Sequence, residues 1–190
     1  LTLDAPRVHG SGWLLLDQQA QQVQLAFRGW DLDASALRQT ALELLKDSTT
    51  NQKVFTIVQG GTVLWITWDA QGPPGALTTA TPHIITGAME HGSILIPGID
   101  LLAKDAQGRV QIVDGVLVGE ALAARTERTW GRDGSLLVGL KGGDAAFHLD
   151  IQMDADLNEL HDILRREISN PGFHGEMTQI AEIQGRATGR

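Results

Sequence analysis

The residues with the clearest chemical rhythm are Asp154, Asp156 and Asn158, in the stretch MDADLNELHDIL from Met153 to Leu164. Oxygen-bearing side chains at alternate positions begin a calcium loop, because a hard cation gathers several oxygen ligands at once. The same rhythm occurs in WDLDASALRQTALELL, Trp30 to Leu45, as Asp31, Asp33 and Ser35. A calcium loop also needs glycine at its sixth position and an acidic ligand at its twelfth. Counted from Asp154, those places hold Glu159 and Arg165; counted from Asp31, they hold Ala36 and Leu42. Both stretches fail twice, so no metal ligand is assigned. Helix capping accounts for the same residues. Asp156 with Glu159 fits a capping box, and carboxylates favour the positive end of a helix dipole. Asp154 and Asp156 are therefore expected to begin a helix, as is Asp33.

No other grouping makes a catalytic set. The six histidines, His9, His83, His91, His148, His161 and His174, have no metal-ligand spacing among them. Glu90, His91 and Ser93 stand together in MEHGS. Members of a catalytic triad converge from separate loops, so this segment reads as a turn between two strands. LKGGDA and VQGGTV lack the order of a phosphate loop. No catalytic residue and no cofactor are expected, and the chain reads as a non-enzyme.

Tryptophan and arginine remain. The chain has five Trp, four Phe and no Tyr. Trp13, Trp30 and Trp68 are expected in or beside the core. Trp65 and Trp130 are the candidates for exposed contact residues. Trp130 lies near Arg125, Arg128 and Arg132, a composition suited to a protein interface or to stacking of single-stranded bases. These five residues, Trp65, Trp130, Arg125, Arg128 and Arg132, are the candidate binding site. The plainer reading is that both rings cover neighbouring strands.

These residues must be held by a fold of ordinary globular make-up. The chain has 190 residues, 42% hydrophobic and 20% charged, with no cysteine and a net charge of −8. That length suffices for a sizeable core. Cysteine's absence excludes disulfides, thiolate metal sites and a Cys nucleophile. The acidic balance opposes a simple duplex-DNA binder, which needs a basic field. There is no membrane-length apolar run and no visible signal peptide, so a cytoplasmic location is expected.

Two periodicities alternate. Val23, Leu25 and Phe27 repeat every second residue, and WLLLD before them suggests a hairpin. From Asp33 an apolar stripe of Leu37, Thr40, Ala41, Leu44 and Leu45 is helical. Gly60-Gly61 reads as a tight turn joining strands Val54–Gln59 and Thr62–Asp69. AQGPPGALTTATPH is a loop. Later strands are divided by turn chemistry at Ala106-Gln107-Gly108, Asp114-Gly115, Asp133-Gly134 and Gly142-Gly143. FHLDIQM alternates, with Phe147, Leu149, Ile151 and Met153 inward. Leu157, Leu160, Ile163, Leu164 and Ile168 line a second helix, which Asn170-Pro171-Gly172 stops. A shift of 123 residues carries Asp31, Asp33 and Leu37 onto Asp154, Asp156 and Leu160.

The expected fold is α+β: mainly antiparallel strands in hairpins or a meander, partly closed as a barrel, with two amphipathic helices in a duplicated hairpin-helix unit. The expected divisions are a hairpin-helix-hairpin unit at 1–72, a loop at 73–83, a β-rich unit with a C-terminal helix at 84–172, and a partly ordered tail at 173–190; a single domain spanning all of it fits the pattern too. The expected function is a non-catalytic interaction or assembly module acting through protein–protein contacts, as a homodimer or with a protein partner. The alternatives are a single-stranded nucleic-acid binder and an enzyme with a dispersed site.

Overall fold

Alternation every second residue builds most of this chain. In the computed structural model, which describes residues 2–4, 7–44, 49–73, 83–96, 101–140, 147–167, 170–180 and 183–190, ten strands form one sheet in chain order. They are β1 (Thr2–Asp4), β2 (Arg7–Asp17), β3 (Gln22–Asp33), β4 (Val58–Gly72), β5 (His83–Ile96), β6 (Leu101–Val113), β7 (Val116–Arg125), β8 (Trp130–Gly139), β9 (Phe147–Asp156) and β10 (Arg186–Gly189). Every neighbouring pair is antiparallel. Helices α1 (Ala34–Leu44) and α2 (Thr49–Ile57) connect β3 to β4, and α3 (Leu157–Glu167) and α4 (Pro171–Gln179) connect β9 to β10. The sheet is open, with β1 and β10 at its two ends, so the expected partial barrel does not form. No helix among the described residues is long and apolar enough to cross a membrane.

The WLLLD hairpin forms as expected. Asp17 Oδ1 accepts from the amides of Gln19 and Ala20, each at 2.9 Å, and thereby closes the β2–β3 turn. Asp114-Gly115 closes β6 onto β7 with φ of 52° and 80°, the positive values a two-residue hairpin turn requires. Ile112, Leu117 and Val138 sit opposite one another on β6, β7 and β8 and form the buried core with Leu140. Val54 of α2 packs against that cluster with Ile85, Val110 and Leu136.

The expected Gly60-Gly61 hairpin is replaced by something else. Val54–Ile57 is the end of α2, and Gly60-Gly61 lies within β4, which pairs with β3 on one side and β5 on the other. Packing of Val54 on the core outweighs the local β propensity of this run. Arg38 Nε donates to the Phe55 carbonyl at 2.7 Å and ties α2 to α1.

The other misread turns share one cause. Six successive strands each contain a left-handed residue: Asp31, Gly61, His91, Asp105, Ala121 and Asp133, with φ of 53°, 121°, 49°, 49°, 51° and 52°. From β4 to β9 the strand register shifts near these positions. Those from Gly61 to Asp133 are β-bulges, which insert a residue and bend the strand without reversing it, whereas the β3–β4 register runs unbroken past Asp31. MEHGS and Asp133-Gly134 therefore lie inside β5 and β8, and Ala106-Gln107-Gly108 inside β6. Bulges and turns use the same residues because both need positive φ. The bends are adjacent in space: a Cβ on Gly61 would lie 2.6 Å from Gly92 Cα, and His91 Nδ1 lies 3.9 Å from Asp105 Oδ1. Residues 74–82, most of the expected AQGPPGALTTATPH loop, and Gly142-Gly143 lie outside the described residues.

The 123-residue shift has a counterpart in three dimensions. It carries α1 onto α3 over their full eleven residues. Each is followed by a nine-residue helix, α2 or α4, in place of the single helix expected in each unit. Each unit then returns through a glycine of positive φ, Gly61 at 121° or Gly185 at 119°. The next residue pairs with the helix-capping aspartate: Thr62 with Asp33, and Arg186 with Asp156. Asn170 both follows α3 and caps α4, its Oδ1 accepting from Gly172 and Phe173. The tail from Phe173 is thus occupied by α4 and β10.

Candidate interaction site

The β7–β8 connection, Thr126 to Thr129, is built from its capping groups. The Thr126 amide donates to the Thr129 carbonyl at 2.9 Å. Thr129 is buried, and its hydroxyl accepts from the Asp156 amide at 3.2 Å. Asp156 caps α3 by accepting from the Glu159 amide at 3.0 Å, and Asp33 caps α1 by accepting from Ser35 at 2.8 Å and Ala36 at 3.0 Å. Capping is therefore what these aspartates do. The expected capping box is only half made, because the Glu159 carboxylate does not turn back on Asp156. Its two oxygens instead accept from the Glu127 and Arg128 amides, each at 3.0 Å. Burial alone would raise the Glu159 pKa, but hydrogen bonds from Thr126, Thr129, Arg128 and Glu127 together outweigh it and hold the carboxyl below its ordinary value.

Asp154 does not begin a helix. It lies in β9 opposite Trp130 on one side and Thr188 on the other. Arg186 Nε donates to its Oδ1 at 2.8 Å, Nη2 to its backbone carbonyl at 3.2 Å, and Nη1 to the Arg128 carbonyl at 3.3 Å. One guanidinium thus joins β10, β9 and the connection before Trp130.

This frame presents Trp130 at the start of β8, 54% exposed. The Arg125 guanidinium lies 5.4 Å from its ring centroid, a cation–π distance. Arg125 Nε also donates to Asp105 Oδ2 at 2.6 Å. Around them is an open concavity of about 710 Å³ whose lining includes His91, Asp105, Arg125, Trp130, Arg132 and Asp154. The bulges at His91 and Asp105 place both residues there.

Of the five candidate residues, the structure brings together Arg125, Trp130 and Arg132. Arg128 is exposed beside them but does not line the concavity, and its backbone is held by Glu159 and Arg186. Trp65 is elsewhere, on β4, four strands from β8, paired across the sheet with Trp30. Both of those rings are partly exposed, as is Trp13, so Trp13 and Trp30 are not core residues as expected. Phe147 and Leu149, expected inward, are also substantially exposed.

Asp105 and Arg186 were not singled out by sequence, and Asp154 was singled out only as a helix start. Asp105 looks like a turn residue, and the partnership of Arg186 with Asp154 depends on β10 returning beside β9. These contacts change the electrostatics. Asp105 offsets Arg125, and Asp154 is paired with Arg186, so the basic cluster is only partly neutralised. Among the described residues, no three His, Cys, Asp or Glu side chains are grouped to hold a metal ion.

A second exposed feature lies at the sheet's first end. β1 pairs with β2 only as far as His9. Beyond it, Trp13, Leu14, Leu15 and Leu16 are 55%, 64%, 54% and 53% exposed on the outer strand. Leu14 and Leu16 lie opposite Leu25 and Val23, while Trp13 and Leu15 lie opposite Ala26 and Gln24. The strand is thus apolar on both faces, with its outer edge unpaired by any described strand. Comparison with protein-family models, characterised proteins and solved structures returns no match to this chain.

Proposed function

We propose that this chain is a non-catalytic interaction and assembly module working through protein–protein contacts. The observation that carries the reading is the run Trp13–Leu16, four large apolar residues each more than half exposed on an outer strand. Such a cluster, on both faces of one strand, suits a contact surface, since water-facing apolar side chains are normally scattered. An unpaired strand edge adds a row of backbone donors and acceptors to it. The Trp130 concavity supplies a second surface with mixed charge and an aromatic anchor, the composition of an interface centre. Sedimentation and light scattering from low to high micromolar concentration test the reading. A mass that rises with concentration supports it, and a monomer throughout, with no added hydrogen-exchange protection of residues 11–17 as concentration rises, counts against it.

Trp130 by itself favours a second reading, a single-stranded nucleic-acid binder. Its ring is open to solvent beside Arg125, and a base stacked on an aromatic contributes roughly 1–3 kcal/mol. Asp105 opposes it, because it offsets the Arg125 charge that would attract phosphate, and the chain as a whole is at −8. Labelled single strands at low salt should bind more tightly than duplex if this reading holds, and Trp130→Ala should weaken them. No binding at low salt removes it.

A further inference from the structure

We infer that the outer edge of β2 pairs with the same edge of a second copy of this chain, antiparallel, about a twofold axis through Leu14. This deepens the interaction-module reading and rests on it.

The occupant of the edge is limited by chemistry. An incoming strand must cover Trp13 and Leu15 on one face and Leu14 and Leu16 on the other. An alternating amphipathic strand would satisfy only one of these faces. β2 itself is apolar on both. From Gly10 to Leu16 it carries no charge, although the chain as a whole is at −8, so two acidic copies meet where neither repels the other. Outer strands are commonly protected by lysine, proline or an inward charge. None of these interrupts Gly10–Leu16.

Geometry selects the register. Opposed residues of antiparallel strands lie on the same face, so a twofold axis normal to the sheet must pass through a residue. An axis through Leu14 sets Trp13 against Leu15, Gly12 against Leu16 and Ser11 against Asp17. Apolar groups then meet apolar groups, and Asp17 meets a hydroxyl. An axis through Trp13 would set Asp17 against His9, where β1 already occupies the edge. An axis through Leu15 would set Asp17 against Trp13. The four exposed side chains offer roughly 400 Å² per copy, or about 800 Å² in the pair, less than the 1,200–2,000 Å² of a stable complex. The pair is therefore reversible and forms at high micromolar concentration.

The chain has no cysteine, which permits single-cysteine trapping. In the Leu14 register the two Leu14 Cα atoms lie about 4.5–5.5 Å apart, within disulfide reach. Equivalent Trp13 or Leu15 positions lie on a diagonal at about 7–8 Å, beyond it. Under mild oxidation, Leu14→Cys should form dimers at least tenfold faster than Trp13→Cys or Leu15→Cys alone. Trp13→Cys mixed with Leu15→Cys should give the mixed disulfide. In sedimentation, Leu15→Lys should weaken self-association of the otherwise native chain at least tenfold. Similar trapping rates for all three single variants, or unchanged association of Leu15→Lys, overturn the inference. If the native chain associates but the edge variants do not affect it, the module reading stands and this inference falls. If the native chain stays monomeric at high micromolar concentration and Leu14→Cys is not trapped, both fall.

Discussion

Replacing Glu159 should loosen the frame beneath Trp130 before it disturbs the rest of the sheet. Its carboxylate accepts from two backbone amides, Glu127 and Arg128, at 3.0 Å each. A hydrogen bond to a charged group contributes about 1.5–3 kcal/mol. The two here face solvent and share one carboxylate, so about 2 kcal/mol is expected for Glu159→Ala and about half that for Glu159→Gln, which keeps one oxygen acceptor. At about 2–4 °C per kcal/mol for a chain of this size, the alanine variant should melt roughly 4–8 °C lower. The pH dependence has a fixed sign. The folded Glu159 pKa lies below the ordinary carboxyl value of 4.5, so its contribution is fully present above about pH 4.5. It is lost as the pH falls through the folded value. Urea unfolding of both proteins from pH 7 downward should show the gap closing at acid pH. Hydrogen exchange should show Thr126–Thr129 opening first in the variant. A difference within about 0.5 kcal/mol at pH 7, the range of ordinary surface substitutions, or a gap unchanged in acid, would refute the reasoning.

Three further outcomes follow from the backbone. Ala121 has φ of 51° and no polar side chain to favour that conformation, so Ala121→Gly should stabilise the chain by about 0.5–1 kcal/mol in urea unfolding. Gly61→Ala should destabilise it by about 2 kcal/mol or more, because its φ is 121° and the new Cβ would lie 2.6 Å from Gly92 Cα; an unchanged melting temperature would contradict the bulge seam. Asp33→Ala should cost about 0.5–2 kcal/mol through loss of its two cap hydrogen bonds, and calcium should leave the native melting temperature unchanged.

What the sequence determined by itself was local. Val23, Leu25 and Phe27 fixed the face of β3 through strand period, and Asp114-Gly115 fixed a hairpin because few residues accept positive φ twice in succession. Asp33 and Asp156 announced helix starts, and the 123-residue shift between them anticipated two helices of equal length. The proximity of Arg125, Trp130 and Arg132 was legible because a short connection joins β7 to β8. Other features depended on pairings distant in sequence. A bulge and a turn share residue chemistry, so only a partner strand decides whether His91 or Asp133 bends the chain or reverses it. Val54 became helical because α2 could pack it on Ile112, Leu117 and Val138, whose contribution no local window contains. Asp105 reached the Trp130 surface through β6 and offset Arg125 there, while Arg186 arrived through β10 to pair with Asp154. The exposure of Trp13 was likewise a tertiary outcome: an apolar side chain is buried only if another element arrives to cover it, and β1 stops pairing at His9.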